Sequence, residues 1–499
     1  MGRGIGAALS ILLIPVYIRF LGVEAYGLVG FFLVLQTVVS VLDLGLSTTT
    51  NREIALRVVD EERRGETRDL LRTIEAIYWP IGIVIGWILI AFAPLIASRW
   101  LHPQALSVGT IETSIRLMGV TAALQWPYSV YEGVFHGLQR IVAFNAVAAG
   151  MQIVRALGAV LVVWYRPTIT AFFVWQLVVS AMTAALLAIF SWRFMPSGPR
   201  PRVRLALVHD VWRFAAGMTA TVALGVILSE SDRIVLSRIL SLERFGYYSV
   251  AKTVATGLMY LMAPISLTML PRYTELLARN EPAQLARTYH LSAQLMTVVV
   301  TPVALVIAFF SRDLLAIWTR SDRIADRASM LLTVLATAIL LKALTEVPYI
   351  MQLSQGLAKL AAYTNLASVA LYVPLLAILA ARYGAMGAAL AMLGLHGAKF
   401  LIWGQVVHAH ILPAEKWRWY FIDVLRPAMA AVTVVAIARL LIPRSFFVPV
   451  LSGLALLGMI VATAGVAAVA VAPLARSRAE ALVPLFRQFV TGRGSKPVV

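Results

Sequence analysis

The stretch "IGIVIGWILIAFAPLIA", residues 81–97, runs for seventeen residues without a charged side chain. A helix rises about 1.5 Å per residue and needs about 20 apolar residues to cross the hydrocarbon core of a bilayer. A second run of this kind, "VLSGLALLGMIVATAGVAAVAVAP" at residues 450–473, is also uncharged. Segments of this length and polarity predict transmembrane helices.

The composition extends this prediction to the whole chain. Hydrophobic residues make up 60% of the 499 residues and charged residues only 13%, and the mean hydropathy is +0.83. Soluble domains contain about 25% charged residues. We therefore predict an all-α polytopic membrane protein with about 14 transmembrane helices. The predicted spans are 4–20, 25–46, 74–98, 113–138, 141–164, 168–192, 211–236, 246–270, 290–311, 329–352, 358–381, 385–408, 424–442 and 447–473.

The strong positive charge of the chain is explained by membrane topology. The formal net charge is +19, and the basic residues are scattered through the segments between spans. Lys and Arg accumulate on the cytoplasmic side of membrane proteins. The longest polar segments fall on one side, which predicts cytoplasmic N- and C-termini. The same distribution argues against a nucleic-acid partner.

The first apolar run has no small-residue cleavage site, so we interpret it as a spanning helix.

One short polar hinge occurs twice. "RFLGVEAYG" at residues 19–27 and "RILSLERFG" at residues 238–246 align without a gap. The aligned identities are Arg19 with Arg238, Leu21 with Leu240, Glu24 with Glu243 and Gly27 with Gly246. The offset covers six predicted spans, an even number, so both copies have the same orientation. This indicates two pseudo-symmetric six-helix lobes related by an axis along the membrane normal, plus a C-terminal helix pair.

These observations predict the following domain organisation. Pro and Gly in "MPSGPRPRVR" interrupt the helical pattern between the two halves. The predicted parts are an N-terminal lobe at 1–192, a cytoplasmic linker at 193–210, a C-terminal lobe at 211–408, an additional helix pair at 424–473 and a cytoplasmic tail at 474–499.

Four segments resemble one family of membrane proteins. They are "PVYIRFLGVEAYGLVG" (15–30), "LDLGLSTTTNREIA" (42–55), "DRIVLSRILSLERFGYYSVAKTV" (232–254) and "LPRYTELLAR" (270–279). They resemble bacterial polysaccharide repeat-unit flippases of the multidrug/oligosaccharidyl-lipid/polysaccharide flippase superfamily. The resemblance covers most of the chain in span number and lobe layout. Many members of that family have twelve spans, so the predicted count of fourteen departs from the pattern.

The resemblance implies a function in surface polysaccharide biosynthesis. It implies translocation of undecaprenyl-diphosphate-linked oligosaccharide across the bacterial cytoplasmic membrane by alternating access, through a central cavity lined by cationic residues. In related lipid II flippases the last two helices form a groove for the lipid tail, and the predicted spans 424–442 and 447–473 can serve that role. The implied partners are this lipid-linked substrate, membrane lipids and a polysaccharide polymerase.

The basic residues within or at the ends of spans are the candidate substrate-binding residues. A diphosphate brings about two negative charges into the membrane, and desolvating an unpaired charge costs many kcal/mol. Intramembrane ionisable residues are costly and therefore mark functional sites. The candidates for a cationic cavity are Arg19, Arg52, Arg155, Arg233, Lys252, Lys342 and Lys399.

Each candidate also has a structural alternative. Arg233 is adjacent to an acid, Asp232, and Lys342 is one helical turn from Glu346, so each can be neutralised within its own helix. Lys399 is three residues from a histidine. Arg19 and Arg52 lie at predicted helix ends, where snorkelling and positive-inside topology are ordinary explanations. Arg155 and Lys252 have no acid within one turn of their own helices, although Arg155 can snorkel or pair across helices.

Acidic residues in the spans are candidates for ion coupling, because a membrane carboxylate can bind H⁺ or Na⁺. They are Asp43, Glu132, Asp232 and Glu346. The alternative is structural pairing with the basic residues. The spacing of these acids along the chain does not match that of metal ligands. The chain also contains no cysteine and no glycine-rich loop of the nucleotide-binding pattern G-x-x-x-x-G-K-S/T. No metal or other cofactor is expected, and the protein is predicted to be a secondary transporter, not an enzyme.

Two further functions remain open at this stage. A drug/cation antiporter of the same superfamily would require acidic groups in its cavity. A polysaccharide polymerase or ligase would require catalytic arginines in a large outer loop, and the arginine-rich segment 312–327 is short. A flippase for lipid II or a teichoic-type substrate is the nearest functional neighbour.

Overall fold

The computed structural model describes residues 11–41, 46–60, 65–204, 206–447 and 450–479. These ranges are almost entirely helical, and their only β-type pairing is an isolated bridge between His102 and Ser241. Helices satisfy every backbone polar group within one segment, which hydrocarbon surroundings require. The prediction of an all-α polytopic membrane protein is confirmed. The chain divides into two compact units, which are described separately.

Unit 1 comprises Met1–Ser249 and Asn365–Ala385. Its helices are α1 (Ile14–Leu21), α2 (Val23–Val41), α3 (Leu46–Val59), α4 (Glu66–Leu95), α5 (Val108–Gln125), α6 (Tyr128–Gly137), α7 (Ile141–Tyr165), α8 (Ile169–Phe194), α9 (Ala206–Ile239) and the first half of α10 (Leu242–Thr256). A π-helical turn, Ile96–Trp100, extends α4. Aromatic side chains fill its core, among them Tyr78, Trp126 and Phe135.

Unit 2 comprises Val250–Thr364 and Met386–Val499. Its helices are α11 (Met259–Ala278), α12 (Pro282–Phe309), α13 (Ser311–Thr319), α14 (Asp322–Ser354), the ends of α15 (Ala358–Ala398), α16 (Gly404–Ile411), α17 (Arg426–Leu441) and α18 (Val450–Val471). Two π-helical segments, Lys399–Trp403 and Trp419–Leu425, precede α16 and α17. Helical residues 473–479 follow α18. One core surrounds Tyr273 and Trp419, and a second lies between α12, α17 and α18.

The two copies of the repeated hinge pack against each other inside unit 1. A Cβ atom built on Gly27 of α2 would lie far closer than 3.0 Å to the carbonyl oxygen of Leu242, and one built on Gly246 of α10 would meet the carbonyl oxygen of Val23 in the same way. Val23 and Leu242 are themselves equivalent by the offset that aligns the copies. The two contacts are therefore one contact with the copies exchanged, which is the signature of a local twofold relation.

Ten helical segments of the described chain are long and apolar enough to cross a membrane. The count of fourteen is not confirmed. One of the ten, Lys359–His410, contains both predicted spans 358–381 and 385–408, because two helices meet there at a kink where Gly384 adopts a φ of 58°. Glycine tolerates that conformation because it has no Cβ. The predicted span 113–138 is broken before Pro127, where α5 ends and α6 begins. The predicted span 4–20 lies partly outside the described residues.

Candidate functional site

Three of the predicted basic residues come together in unit 2. Lys342 interacts electrostatically with Lys252 and Lys399, and Glu346 interacts with both Lys342 and Lys399. His396 is close enough to all three lysines to feel their charge. We call these five residues the lysine cluster. Its three lysines and one glutamate leave a formal excess of two positive charges.

Local helix geometry places two pairs within the cluster. Lys342 and Glu346 are four residues apart on α14, and His396 and Lys399 are three apart at the end of α15, so each pair shares a helix face. Lys399 also begins the π-helical turn Lys399–Trp403. Such turns shift the following side chains around the helix and occur frequently at functional sites. Lys252 comes from α10, where it is almost fully buried.

Two of the lysines contact methionine sulfur atoms. The Nζ atom of Lys252 lies 3.7 Å from the sulfur of Met392, and that of Lys342 lies 3.8 Å from the sulfur of Met259. A thioether is a weak acceptor. Within the described chain, neither Lys342 nor Lys399 forms an ion pair with a carboxylate, although Glu346 is one turn from Lys342. The charges of Lys342 and Lys399 are thus not neutralised by a direct ion pair within the described residues.

His396 adds a polar atom that the protein itself does not satisfy. The side chain is 8% exposed, and its Nδ1 atom has no hydrogen-bond partner among the described residues. A buried polar atom without a partner costs about 1–3 kcal/mol. A ligand that supplies a donor or an acceptor at this position would remove that cost. The sequence signal was only the three-residue spacing from Lys399.

Arg155 belongs to a different polar network, in unit 1. Its guanidinium donates to Gln176 Oε1 at 2.8 Å and to Ser180 Oγ at 3.2 Å. The network continues from Ser180 to Gln125 at 3.0 Å, and from Gln125 to Gln36 at 2.7 Å. It joins α2, α5, α7 and α8. No carboxylate of the described chain pairs with Arg155.

Arg233 and Asp232 are occupied by neighbours in unit 1. The buried Arg233 pairs with Glu230 at 3.2 Å, one turn earlier on α9. The carboxylate of Asp232 accepts a hydrogen bond from the hydroxyl of Tyr248 on α10. The pairing with Glu230 corresponds to the structural alternative for Arg233, because its charge is compensated within its own helix, although its Nε atom has no hydrogen-bond partner among the described residues.

The remaining candidates lie in unit 1 or outside the described residues. Arg19 is exposed at the end of α1. Arg52 is exposed and pairs with its neighbour Glu53 at 2.8 Å. Glu132 is half-buried on α6. Asp43 lies outside the described residues.

A buried network in unit 2 was missed from the sequence. The Nδ1 atom of the fully buried His290 bonds a carboxylate oxygen of Asp423, and its Nε2 atom lies 2.9 Å from Glu415 Oε2. Gln294 donates to Asp423 Oδ1 at 2.7 Å. Asp423 lies 133 residues from His290 in the chain, and no local spacing links them. The network joins α12 to the segment before α17.

The fold defines the class of the protein. It is a polytopic helical membrane protein, and its fold is similar to those of solved membrane transporters and flippases. A structure of the lipid II flippase MurJ in an inward closed conformation superimposes with a TM-score of 0.70, covering 92% of this chain and 96% of that chain at 12% identity. At that identity the match shows the fold alone.

Sequence comparison then establishes the family. Residues 16–322 match the family described as "Polysaccharide biosynthesis protein", and the chain belongs to that family. A putative O-antigen transporter of Shigella flexneri is 20% identical over 382 residues, which are 74% of this chain and 87% of the relative. The succinoglycan biosynthesis transport protein ExoT of Rhizobium meliloti (strain 1021) is 24% identical over 355 residues, 70% of this chain and 66% of the relative. The resemblance predicted from the sequence is confirmed.

Proposed function

We propose that this protein is a flippase for undecaprenyl-diphosphate-linked oligosaccharide repeat units in surface polysaccharide biosynthesis. Family membership and two relatives named as polysaccharide transporters support the pathway. The lysine cluster is the observation that supports the chemistry. Its excess of two positive charges matches the charge of a diphosphate, which cannot cross hydrocarbon without compensation.

The proposed mechanism is alternating access without an enzymatic step. The diphosphate binds Lys252, Lys342 and Lys399 on the cytoplasmic side, the two six-helix lobes rearrange, and the headgroup is released at the outer leaflet. His396 supplies an additional hydrogen bond to the bound headgroup. The negative charge of Glu346 weakens the attraction between the lysine cluster and the diphosphate, so that the headgroup can be released. Arg155 with its amide partners, and Arg19, Arg52 and Arg233, are proposed as further cavity residues, and Asp43, Glu132, Asp232 and Glu346 as candidates for ion coupling.

The organisation proposed for this mechanism follows the sequence. It has lobes at residues 1–192 and 211–408, the linker 193–210, the helix pair 424–473 and the tail 474–499. The proposed location is the bacterial cytoplasmic membrane with both termini in the cytoplasm. Membrane lipids surround the protein, and a polysaccharide polymerase uses the translocated product.

The alternative functions fit the side chains less well. A drug/cation antiporter needs an acidic site, whereas the lysine cluster holds three lysines around one glutamate. A polymerase or ligase needs available arginines on the outer side. In segment 312–327, Arg312 is bound to Asp326 at 2.7 Å and to Asp322 at 3.3 Å. The hydrogen bond to Asp326 raises the pKa of Arg312 above its ordinary value, so this arginine stays charged and engaged.

Substitution of the cluster lysines tests the proposal. One unit charge at about 6 Å in an effective dielectric of about 20 contributes about 3 kcal/mol, so each Lys→Gln change should slow translocation by roughly a hundredfold. The assay measures flipping of a fluorescent undecaprenyl-diphosphate saccharide in proteoliposomes, and polymer export in a strain that lacks its own flippase. The control is Lys359→Gln, which removes an exposed charge at the start of α15. Normal translocation by Lys252→Gln, Lys342→Gln and Lys399→Gln at normal protein level would refute the cationic site.

A further inference from the structure

A small polar cavity lies between the first turns of α12 and the helical residues 473–479. Its volume is about 110 Å³, enough for several water molecules or a phosphate group. The lining residues are Gln284, Arg287, Thr288, Leu291, Leu474, Ser477 and Arg478. All belong to unit 2, and none is part of the lysine cluster or of the His290 network.

The cavity concentrates positive charge without a counter-ion. Neither Arg287 nor Arg478 forms an ion pair within the described part of the chain, and the lining contains no carboxylate. By contrast, Arg279, eight residues before Arg287, pairs with Glu275 at 2.9 Å. Two arginines that converge on neutral polar side chains form a site for a phosphate oxyanion, because guanidinium groups bind phosphate through several hydrogen bonds.

The two walls of the cavity are joined by a buried glutamine. Gln294 of α12 is fully buried, and its Oε1 atom accepts hydrogen bonds from the backbone N–H groups of Leu474 at 2.8 Å and Ala475 at 3.1 Å. The Nε2 atom of the same side chain donates to Asp423. This connection holds residues 473–479 in one position on α12. The backbone segments that carry the two arginines are thus fixed relative to each other, while the arginine side chains themselves are exposed and accessible to a ligand.

Helix length places the cavity at the level of lipid headgroups. The 28 residues of α12 extend about 42 Å, which exceeds the roughly 30 Å hydrocarbon core, so its terminal turns emerge from the core. Arg287 lies in the second turn, and residues 473–479 directly follow the end of α18. Headgroup phosphates occupy this depth, and basic pockets between spanning helices bind anionic headgroups. Leu291 and Leu474 add an apolar part to the lining.

We propose that this cavity binds the phosphate headgroup of an anionic membrane phospholipid. The arginines contact the phosphate oxygens, while Gln284, Thr288 and Ser477 contribute neutral hydrogen bonds. The bound lipid bridges α12 and residues 473–479 and secures the end of the C-terminal helix pair. This lipid site is separate from the proposed transport site and does not depend on the proposed function.

Lipid binding to the full-length purified protein tests the proposal. Native mass spectrometry and thermal denaturation would be compared in detergent with added phosphatidylglycerol or cardiolipin, with phosphatidylcholine, and with inorganic phosphate. Arginines at a headgroup contribute about 1 kcal/mol each, so Arg287→Gln with Arg478→Gln should weaken anionic-lipid binding by roughly thirtyfold. Arg287→Lys with Arg478→Lys should retain most of it. Arg279→Gln, which removes one charge on the same side of the chain but outside the cavity, should bind like the original protein.

Several results would overturn the lipid site. If the double glutamine variant binds anionic lipid as tightly as the original protein, Arg287 and Arg478 do not form the site. If Arg279→Gln weakens binding equally, the lipid is attracted by general surface charge and not by this cavity. Inorganic phosphate that binds as tightly as the lipids would indicate a soluble anion. Lipid binding that appears only after removal of residues 480–499 would mean that the tail occupies the cavity. If the glutamine variant melts at a lower temperature than the original protein in phosphatidylcholine alone, the substitution has damaged the fold. The lysine variant then tests the site: retained binding of anionic lipid supports it, and lost binding overturns it.

Discussion

The close crossing of α2 and α10 predicts that two glycines are intolerant of even a methyl group. In Gly27→Ala the new Cβ would overlap the carbonyl oxygen of Leu242, and in Gly246→Ala it would overlap that of Val23. A backbone oxygen cannot rotate away, so the helices must separate by roughly 1 Å, which forfeits a quarter to a half of the dispersion energy at the crossing. Overpacking of this kind costs about 1–3 kcal/mol.

A matched substitution isolates the steric cost. Alanine is favoured over glycine by about 1 kcal/mol within a helix, so the raw effect underestimates the clash. Gly150→Ala on α7 undergoes the same chemical change, but a Cβ there would have no neighbour within 4 Å. The difference in unfolding free energy between Gly27→Ala and Gly150→Ala should therefore be about 1–3 kcal/mol. Gly246→Ala should give a similar difference.

The equivalence of the two contacts, Gly27 with Leu242 and Gly246 with Val23, leads to a second prediction. Either substitution opens the same crossing, so the double variant Gly27→Ala with Gly246→Ala should lose less stability than the sum of the single changes, by about 0.5 kcal/mol or more. Reversible unfolding in mixed detergent micelles, followed by tryptophan fluorescence, measures the free energy of unfolding of the original protein and of the four variants. Additive effects, or single variants as stable as Gly150→Ala, would refute the reasoning that one twofold-related contact holds the two hinges together.

Two other contacts give predictions for the linker and for the buried histidine network. Asp69 accepts a hydrogen bond from the backbone N–H of Arg202 at 2.7 Å and pairs with the side chain of Arg204 at 2.9 Å. Asp69→Ala should therefore weaken the docking of the linker by about 1–2 kcal/mol and speed limited trypsin cleavage within 196–204 by roughly tenfold. An unchanged cleavage rate would contradict this prediction. His290→Ala removes the partner of the buried Asp423 carboxylate and should lower the free energy of unfolding by about 3–5 kcal/mol in the same assay. Adding Asp423→Asn should recover part of this loss. Strictly additive losses would argue against the pairing of the two residues.

The sequence predicted the features that depend on local pattern. Uncharged runs such as 81–97 indicate spanning helices because hydrocarbon tolerates few charges and requires internal backbone hydrogen bonds. The motifs around Gly27 and Gly246 indicated a duplication and the family. Span number was less predictable, because the predicted span 113–138 is divided at Trp126 and Pro127 into α5 and α6. Hydropathy does not record where a helix is interrupted.

The membership of the candidate site depended on tertiary structure. From the sequence alone, Arg155 and Lys252 were both intramembrane cations without an acid within one turn of their own helices, but folding binds Arg155 to amide and hydroxyl groups and places Lys252 near Lys342. Hydropathy and short motifs are local properties, so the residues alone were enough to predict an α-helical membrane protein and its resemblance to polysaccharide biosynthesis proteins. Which charges meet depends on how each helix is rotated and packed against helices from distant parts of the chain, and this became visible in the folded chain.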